Sequence, residues 1–209
     1  MDTGEELDTY RTVRRPRRAE IRRKGSRFIS FAFPVMSQSE VPRALDGLRR
    51  EYHDATHHCY AYRLLTRSAI VPQSNDAGEP TGSAGRSILQ VLEGWKLVNT
   101  LVVVVRYFGG IKLGIGGLSR AYRDATVAAL DGAELVSKVS KVELQVRYAH
   151  ELTGRVMGVV QRHRGEIIWV NYTPDPVLTV RLPASKLKTL KRELVETTGG
   201  QVEFLSAGR

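Results

Sequence analysis

Cysteine is nearly missing: Cys59 is the only one in 209 residues. One thiol cannot close an internal disulfide, and such sparing use predicts a reducing, cytoplasmic setting. Long apolar runs are missing too. The longest uncharged one, Thr100 to Val105, falls far short of the ~20 residues that a membrane helix needs, so no membrane partner is expected. The N-terminus carries acids and then arginines where a secretory leader would carry an apolar stretch, which predicts no leader. Histidine and cysteine are too few for a metal framework. His57, His58 and Cys59 are adjacent, but along a strand only His57 and Cys59 share a face, and no second His or Cys pair stands at ligand spacing. No metal and no cofactor are predicted.

Acidic residues are also short, 22 against 32 basic ones, giving a formal net charge of +10. The deficit is concentrated in one stretch. Arg11, Arg14, Arg15, Arg17, Arg18, Arg22, Arg23, Lys24 and Arg27 are opposed there only by Glu20. Charge of this kind speaks about partners rather than fold, and nucleic acid is the first to consider. Residues 1–18 read as a disordered basic arm, either solvated or binding phosphates through Arg14, Arg15, Arg17 and Arg18.

What is present is the periodicity of a globular chain. "EIRRKGSRFISFAFPV" alternates as one or two strands turning near Gly25. "SQSEVPRALDGLRREYH" is a helix capped by Ser39, with Val41, Leu45, Leu48 and Tyr52 on one face. "HHCYAYRLL" reads as a strand, "PQSNDAGEPTG" as a polar loop and "SAGRSILQVLEGW" as a short helix. "TLVVVVR" is a strand buried on both faces, and a helix follows from Leu118 to Leu130. Beyond residues 136–139 the pattern becomes βαββαβ, ending at "QVEFLS", which is the ferredoxin-like arrangement. An α+β chain of two domains is therefore expected, at 19–137 and 140–206. Trp169, Tyr172 and Phe204 fall on the second sheet, where an open face could stack bases, although RNP signatures are absent and packing is the simpler role.

"VVVVRYFGGIKLGIGGLSRAY", Val102 to Tyr122, holds the densest clue. A buried strand runs into five glycines and then a helix. Gly114, Gly116 and Gly117 at a helix entry can offer backbone amides to an anion, while Lys112, Arg120 and, behind them, Arg106 can add charge. The same glycines are equally explained by a tight turn with close packing. The stretch is not a P-loop, because no "GK[ST]" follows, and its "GIGG" does not complete GxGxxG.

Set beside "ATHHCYAY" and "DAGEPTGSAGRSILQ", the stretch closely resembles the YigZ/IMPACT family, over roughly residues 20 to 135. The second domain fits the extra domain of bacterial members. The resemblance implies that the first domain is similar to domain two of ribosomal protein S-five and domain four of elongation factor G, and the second to domain five of that factor. It implies contact with RNA, the ribosome or a translation-associated protein. Where the family usually has "THNCYA", this chain has Thr56 to Ala61 with His58 in place of asparagine. Its frequent "DDGEP" is here Asp76, Ala77, Gly78, Glu79 and Pro80, which puts a two-aspartate cation site in doubt.

Two functions follow. The first is a non-enzymatic, translation-linked protein binding RNA or a ribosomal partner. The second is a hydrolase or peptidase-like enzyme on a small anionic substrate, with His57, Cys59 and Glu79 as candidate groups and Lys112 as anion holder. No HExxH, serine elbow or carboxylate cluster supports the second. Glu79 alternatively caps the helix that starts near Ser83. One cleft is expected to gather His57, Glu79, Arg106 and Lys112.

Overall fold

The computed structural model describes residues 9–66, 69–172 and 175–205. The disorder expected of residues 1–18 concerns, for residues 1–8, positions outside the described ones. Two compact units meet in sequence at Lys138 and Val139. In the first, the elements in chain order are β1 (Thr9–Val13), β2 (Arg17–Arg23), β3 (Ser26–Pro34), α1 (Glu40–Glu51), β4 (His57–Leu65), β5 (Ile70–Asn75), α2 (Gly85–Gly94), β6 (Thr100–Tyr107), α3 (Gly114–Asp131) and β7 (Leu135–Val139).

A five-stranded antiparallel sheet ordered β2-β3-β6-β4-β5 forms the middle layer. On one face α1 lays Val41, Leu45 and Leu48 against Ile29, Val103 and Val105. On the other, α2 and α3 pack Ile88, Leu92, Ala121 and Tyr122 against Phe28, Val102 and Val104. Helices on both sides are why four successive valines of β6 are all buried and why that strand shows no alternation. The β2–β3 hairpin turns through Lys24 and Gly25, whose φ values of 44° and 78° are the positive pair that a two-residue hairpin loop of right-handed twist requires.

Three expectations need correction. The basic arm is not free from residue 9 onward: Tyr10, Thr12 and Val13 of β1 are buried, Thr12 Oγ1 donates to the Asn99 carbonyl at 2.9 Å, and β1 pairs with β7 in a two-stranded sheet. Among its arginines, Arg14 pairs with Glu134 at 2.6 Å, Arg18 with Glu20 at 2.8 Å, and Arg17 lies against Gly132. The loop starting at Pro72 is in its first half the edge strand β5, whose largely solvent-facing residues erase the alternation that would reveal it. Finally, α3 starts at Gly114 and not at Leu118, so the glycines fill its first turn.

The second unit contains β8 (Lys141–Tyr148), α4 (Thr153–Arg162), β9 (Glu166–Asn171), β10 (Val177–Pro183), α5 (Leu187–Thr198) and β11 (Val202–Leu205), with the antiparallel order β11-β8-β10-β9. Leu144, Val146, Leu178, Val180 and Leu182 meet Val156, Val159, Val160, Leu190 and Leu194 of the two helices. The three aromatics do not form one base-stacking face. Phe204 lies opposite Val146 and so points to the helices, where Lys191 Nζ sits 5.1 Å from its ring centroid. Tyr172 stacks on His150 at 6.2 Å. Trp169 stands on the other face, amid the pairs Lys141–Glu166, Arg181–Glu143 and Arg147–Glu203 at 3.1, 2.7 and 2.8 Å. Cations matched by carboxylates give that face little pull on phosphate.

Candidate functional site: a buried cation beneath the glycine loop

Arg106 lies at the end of the central strand β6. The register sets Phe28 of β3 and His57 of β4 directly beside it, so all three point to the side of α2 and α3. The guanidinium is buried, and both of its terminal nitrogens are partnered while Nε has no hydrogen-bond acceptor among the described residues. Nη1 donates to Glu79 Oε1 at 2.7 Å and Nη2 to Ser26 Oγ at 3.3 Å. The Phe28 and Phe108 rings flank it, each centroid 5.5 Å away. Tyr122 Oη donates to the same Glu79 oxygen at 2.7 Å, and its ring meets Phe28 edge-on at 5.2 Å.

Around this pair lie the other candidates. Cys59 Sγ is 2.9 Å from the Asp76 carbonyl and 3.3 Å from Tyr122 Oη, so its single S–H has two acceptors in reach. Burial pushes the thiol up to about 12 and raises the Tyr122 phenol as well. At neutral pH this is a thiol and not a thiolate, and it is fully enclosed. His57 Nδ1–H donates to the Ala77 carbonyl at 2.9 Å, and Nε2 lies 3.8 Å from Glu79 Oε1. Glu79 is thus committed to a cation and a phenol, out of reach of an outside substrate. The expected cleft is corrected accordingly: Glu79 and Arg106 are buried with the half-buried His57 beside them, while Lys112 stands exposed with no polar partner among the described residues.

Glu79 does not cap a helix; Asp76 does. Its Oδ1 accepts the amides of Ala84 and Gly85 at 2.9 and 2.8 Å, and Oδ2 accepts that of Gly82 at 2.7 Å, at the start of α2. With these oxygens taken by amides, Asp76 is a cap and not a cation ligand. Burial opposes its ionisation, but the three amides outweigh burial and hold the carboxyl below the usual range. A depressed folded value means stability that is full above the ordinary aspartate value of about 3.9 and lost as pH falls through the folded one. Asp76→Ala is expected to cost about 2 kcal/mol in urea unfolding at pH 7, and the gap to wild type should narrow below about pH 4. A gap independent of pH would mean that the carboxylate charge contributes nothing.

The glycine stretch divides by role. Gly109 N–H donates to Ser26 Oγ at 3.2 Å, and its backbone lies against Gly25, locking the hairpin tip to the loop. Phe108 N–H donates to Thr56 Oγ1 at 3.4 Å. Gly110 and Gly114 take φ of 83° and 69°, whereas Gly116 and Gly117 are ordinary helical residues. The loop leaves Phe108 and Ile111 exposed by 47 and 56%, and Ile115 in the first turn of α3 is exposed by 66%. Lys24 on the adjoining hairpin tip, Lys112 in the loop, and Arg120 and Arg123 on the first turns of α3 are solvent-exposed without a hydrogen bond or ion pair among the described residues. Arg14, Arg15, Arg17 and Arg18 lie before or at the start of β2, about 20 Å from this tip at roughly 3.3 Å per residue. The roles of Ser26, Asp76, Phe108 and Tyr122 were not visible in the sequence; the aromatic pair Tyr107 and Phe108 between Arg106 and two glycines is the signal that could have pointed to Phe108.

A layered α/β unit with a buried cation–carboxylate cluster under an exposed basic loop is the class that this geometry defines. The Impact N-terminal domain model matches residues 24–130, half of the chain. The chain is 34% identical to the IMPACT family member YigZ of Escherichia coli, over 88% of this chain and 90% of that one. It is 28% identical to the IMPACT family member YvyE of Bacillus subtilis, over 95% and 91%. A crystal structure described as a hypothetical protein superposes with a TM-score of 0.70 at 28% identity, covering 96% of this chain and 98% of the other. The chain belongs to the IMPACT family. No helix among the described residues is long and apolar enough to cross a membrane.

Proposed function

We propose that this protein is a non-enzymatic, cytoplasmic regulator tied to translation or its stress response, which binds RNA, the ribosome or a ribosome-associated protein. The family's association with translation regulation supports the process. One observation supports the mode: Lys24 on the hairpin tip, Lys112 in the loop, and Arg120 and Arg123 on α3 are exposed and unpaired among the described residues, and the loop backbone is pinned from below. Unpaired charge is what phosphates can recruit, because an arginine already held by a carboxylate must first be released. The loop end is therefore favoured over Arg14 and Arg18, which are held in ion pairs, as the main binding region. In the second unit, the fourth strand lies beside the first and the third sits inside, which supports the ferredoxin-like name. The ribosomal-protein and elongation-factor likeness of the first unit rests on family membership.

Ribosome cosedimentation at several salt concentrations tests the reading. Lys24→Ala combined with Lys112→Ala and Arg120→Ala should weaken binding and lower the slope of log affinity against log salt by about 2, at roughly 0.7 per lost contact. The quadruple alanine variant at Arg14, Arg15, Arg17 and Arg18 should change the slope by less than half of that. The reading fails if the two variants behave in reverse, or if wild type does not sediment with ribosomes at low salt.

A further inference from the structure

We propose that Phe108 is a stacking platform for an unpaired nucleobase, so that the ligand of the loop end is single-stranded RNA. This rests on the reading that the loop end binds RNA. A phenylalanine left 47% exposed in a glycine loop is costly in water unless something covers it, and this one is held as a fixed surface. Its own amide is bonded to Thr56 and the next to Ser26. Beneath the ring lies the Arg106 guanidinium, itself tied to Glu79 and Ser26 and backed by Phe28. The buried cluster thereby acquires a purpose that catalysis does not give it. It positions a cation under one face of the ring while the remainder of the ring faces solvent.

A cation behind an aromatic draws π density from the open face, which suits stacking by an electron-rich base. Ile111 and Ile115 extend the apolar surface beside it, and Lys24, Lys112, Arg120 and Arg123 supply the charge for the phosphates on either side. An exposed aromatic within a rim of unpaired cations is how single strands are held without sequence preference. A duplex presents no free base face to such a ring, so duplex RNA gains from the rim alone. An acidic protein segment is the competing occupant. It would use the cations equally but would gain nothing specific from a ring over an aliphatic side chain.

The test uses the full chain with a fluorescein-labelled 12-nucleotide oligouridylate, the same length of deoxyoligothymidylate, and a 12-base-pair RNA duplex, titrated by anisotropy in rising KCl. Phe108→Ala and Phe108→Leu should each lose roughly 5- to 150-fold in affinity for the single strands with the salt slope unchanged. Phe108→Trp should keep or raise it. Duplex affinity should move by less than twofold. Because the ring is exposed, all three variants should unfold near wild type, which urea denaturation checks. If Phe108→Leu binds single strands as wild type does, or if the duplex loses as much as the strand, the platform is wrong while RNA binding stands. If wild type binds none of the three probes even at low salt, the RNA reading itself is wrong, and pull-down of ribosomal proteins by wild type but not by Phe108→Ala would then identify a protein-docking patch.

Discussion

Glu79→Ala is expected to lower the unfolding free energy of the first unit by about 3–5 kcal/mol, because it leaves the Arg106 charge buried without its counter-ion. The loss is larger than an exposed pair could give; surface ion pairs such as Arg14–Glu134 are worth about 1 kcal/mol or less. It also strands the Tyr122 hydroxyl, which has Glu79 as its carboxylate acceptor. Urea unfolding monitored by far-UV circular dichroism measures the effect. Removing the charge from both partners together, as Glu79→Leu with Arg106→Met, should recover much of the stability, since two apolar chains need no desolvation of charge. Such a double variant should nevertheless lose the nucleotide affinity that depends on a cation beneath Phe108. A loss below about 1 kcal/mol for Glu79→Ala would show that water reaches the pair and that the cluster does not hold the loop.

The layers of the first unit were readable because burial leaves a period: Val41, Leu45 and Leu48 mark α1, and the unbroken apolar run marks β6. The same logic explains the failures. β5 faces solvent along most of its length and β1 is five residues with only Tyr10 and Val13 large and apolar, so neither shows an apolar face in one sequence. For the site, residue types were visible while partnerships were not. Glu79 and Asp76 stand three positions apart in one turn, and nothing in their identity says that the first reaches Arg106 on β6 while the second caps α2. Long-range pairing of this kind depends on how loops cross the sheet edge, which periodicity does not encode. The glycines illustrate the same limit, because of five in nine residues one is needed for close approach, two for positive φ, and two are ordinary helical positions.

Gly109→Ala should be the most damaging single methyl group in the loop. A Cβ there would stand 2.0 Å from the Gly25 carbonyl carbon and 2.3 Å from the Ser26 nitrogen, and those are backbone atoms with no rotamer to change. Accommodation requires the hairpin tip to retreat, which breaks the Gly109–Ser26 bond and disturbs the Ser26 hydroxyl that also receives Arg106. The expected loss is about 3 kcal/mol or more, together with weaker single-strand binding because Phe108 loses its seat. Gly116→Ala is the control. Its Cβ would come no nearer than 3.6 Å to the end of the Arg120 side chain, at an ordinary helical position, so it should leave stability unchanged or raise it by up to about 1 kcal/mol. Urea midpoints and oligouridylate affinities of the two variants, taken together, separate packing from ligand approach. If Gly109→Ala unfolds at the wild-type midpoint, the hairpin and loop are not locked together. If Gly116→Ala keeps its stability but loses the oligonucleotide, a phosphate approaches the helix entry closely, and the binding surface extends from the Phe108 ring onto the first turn of α3.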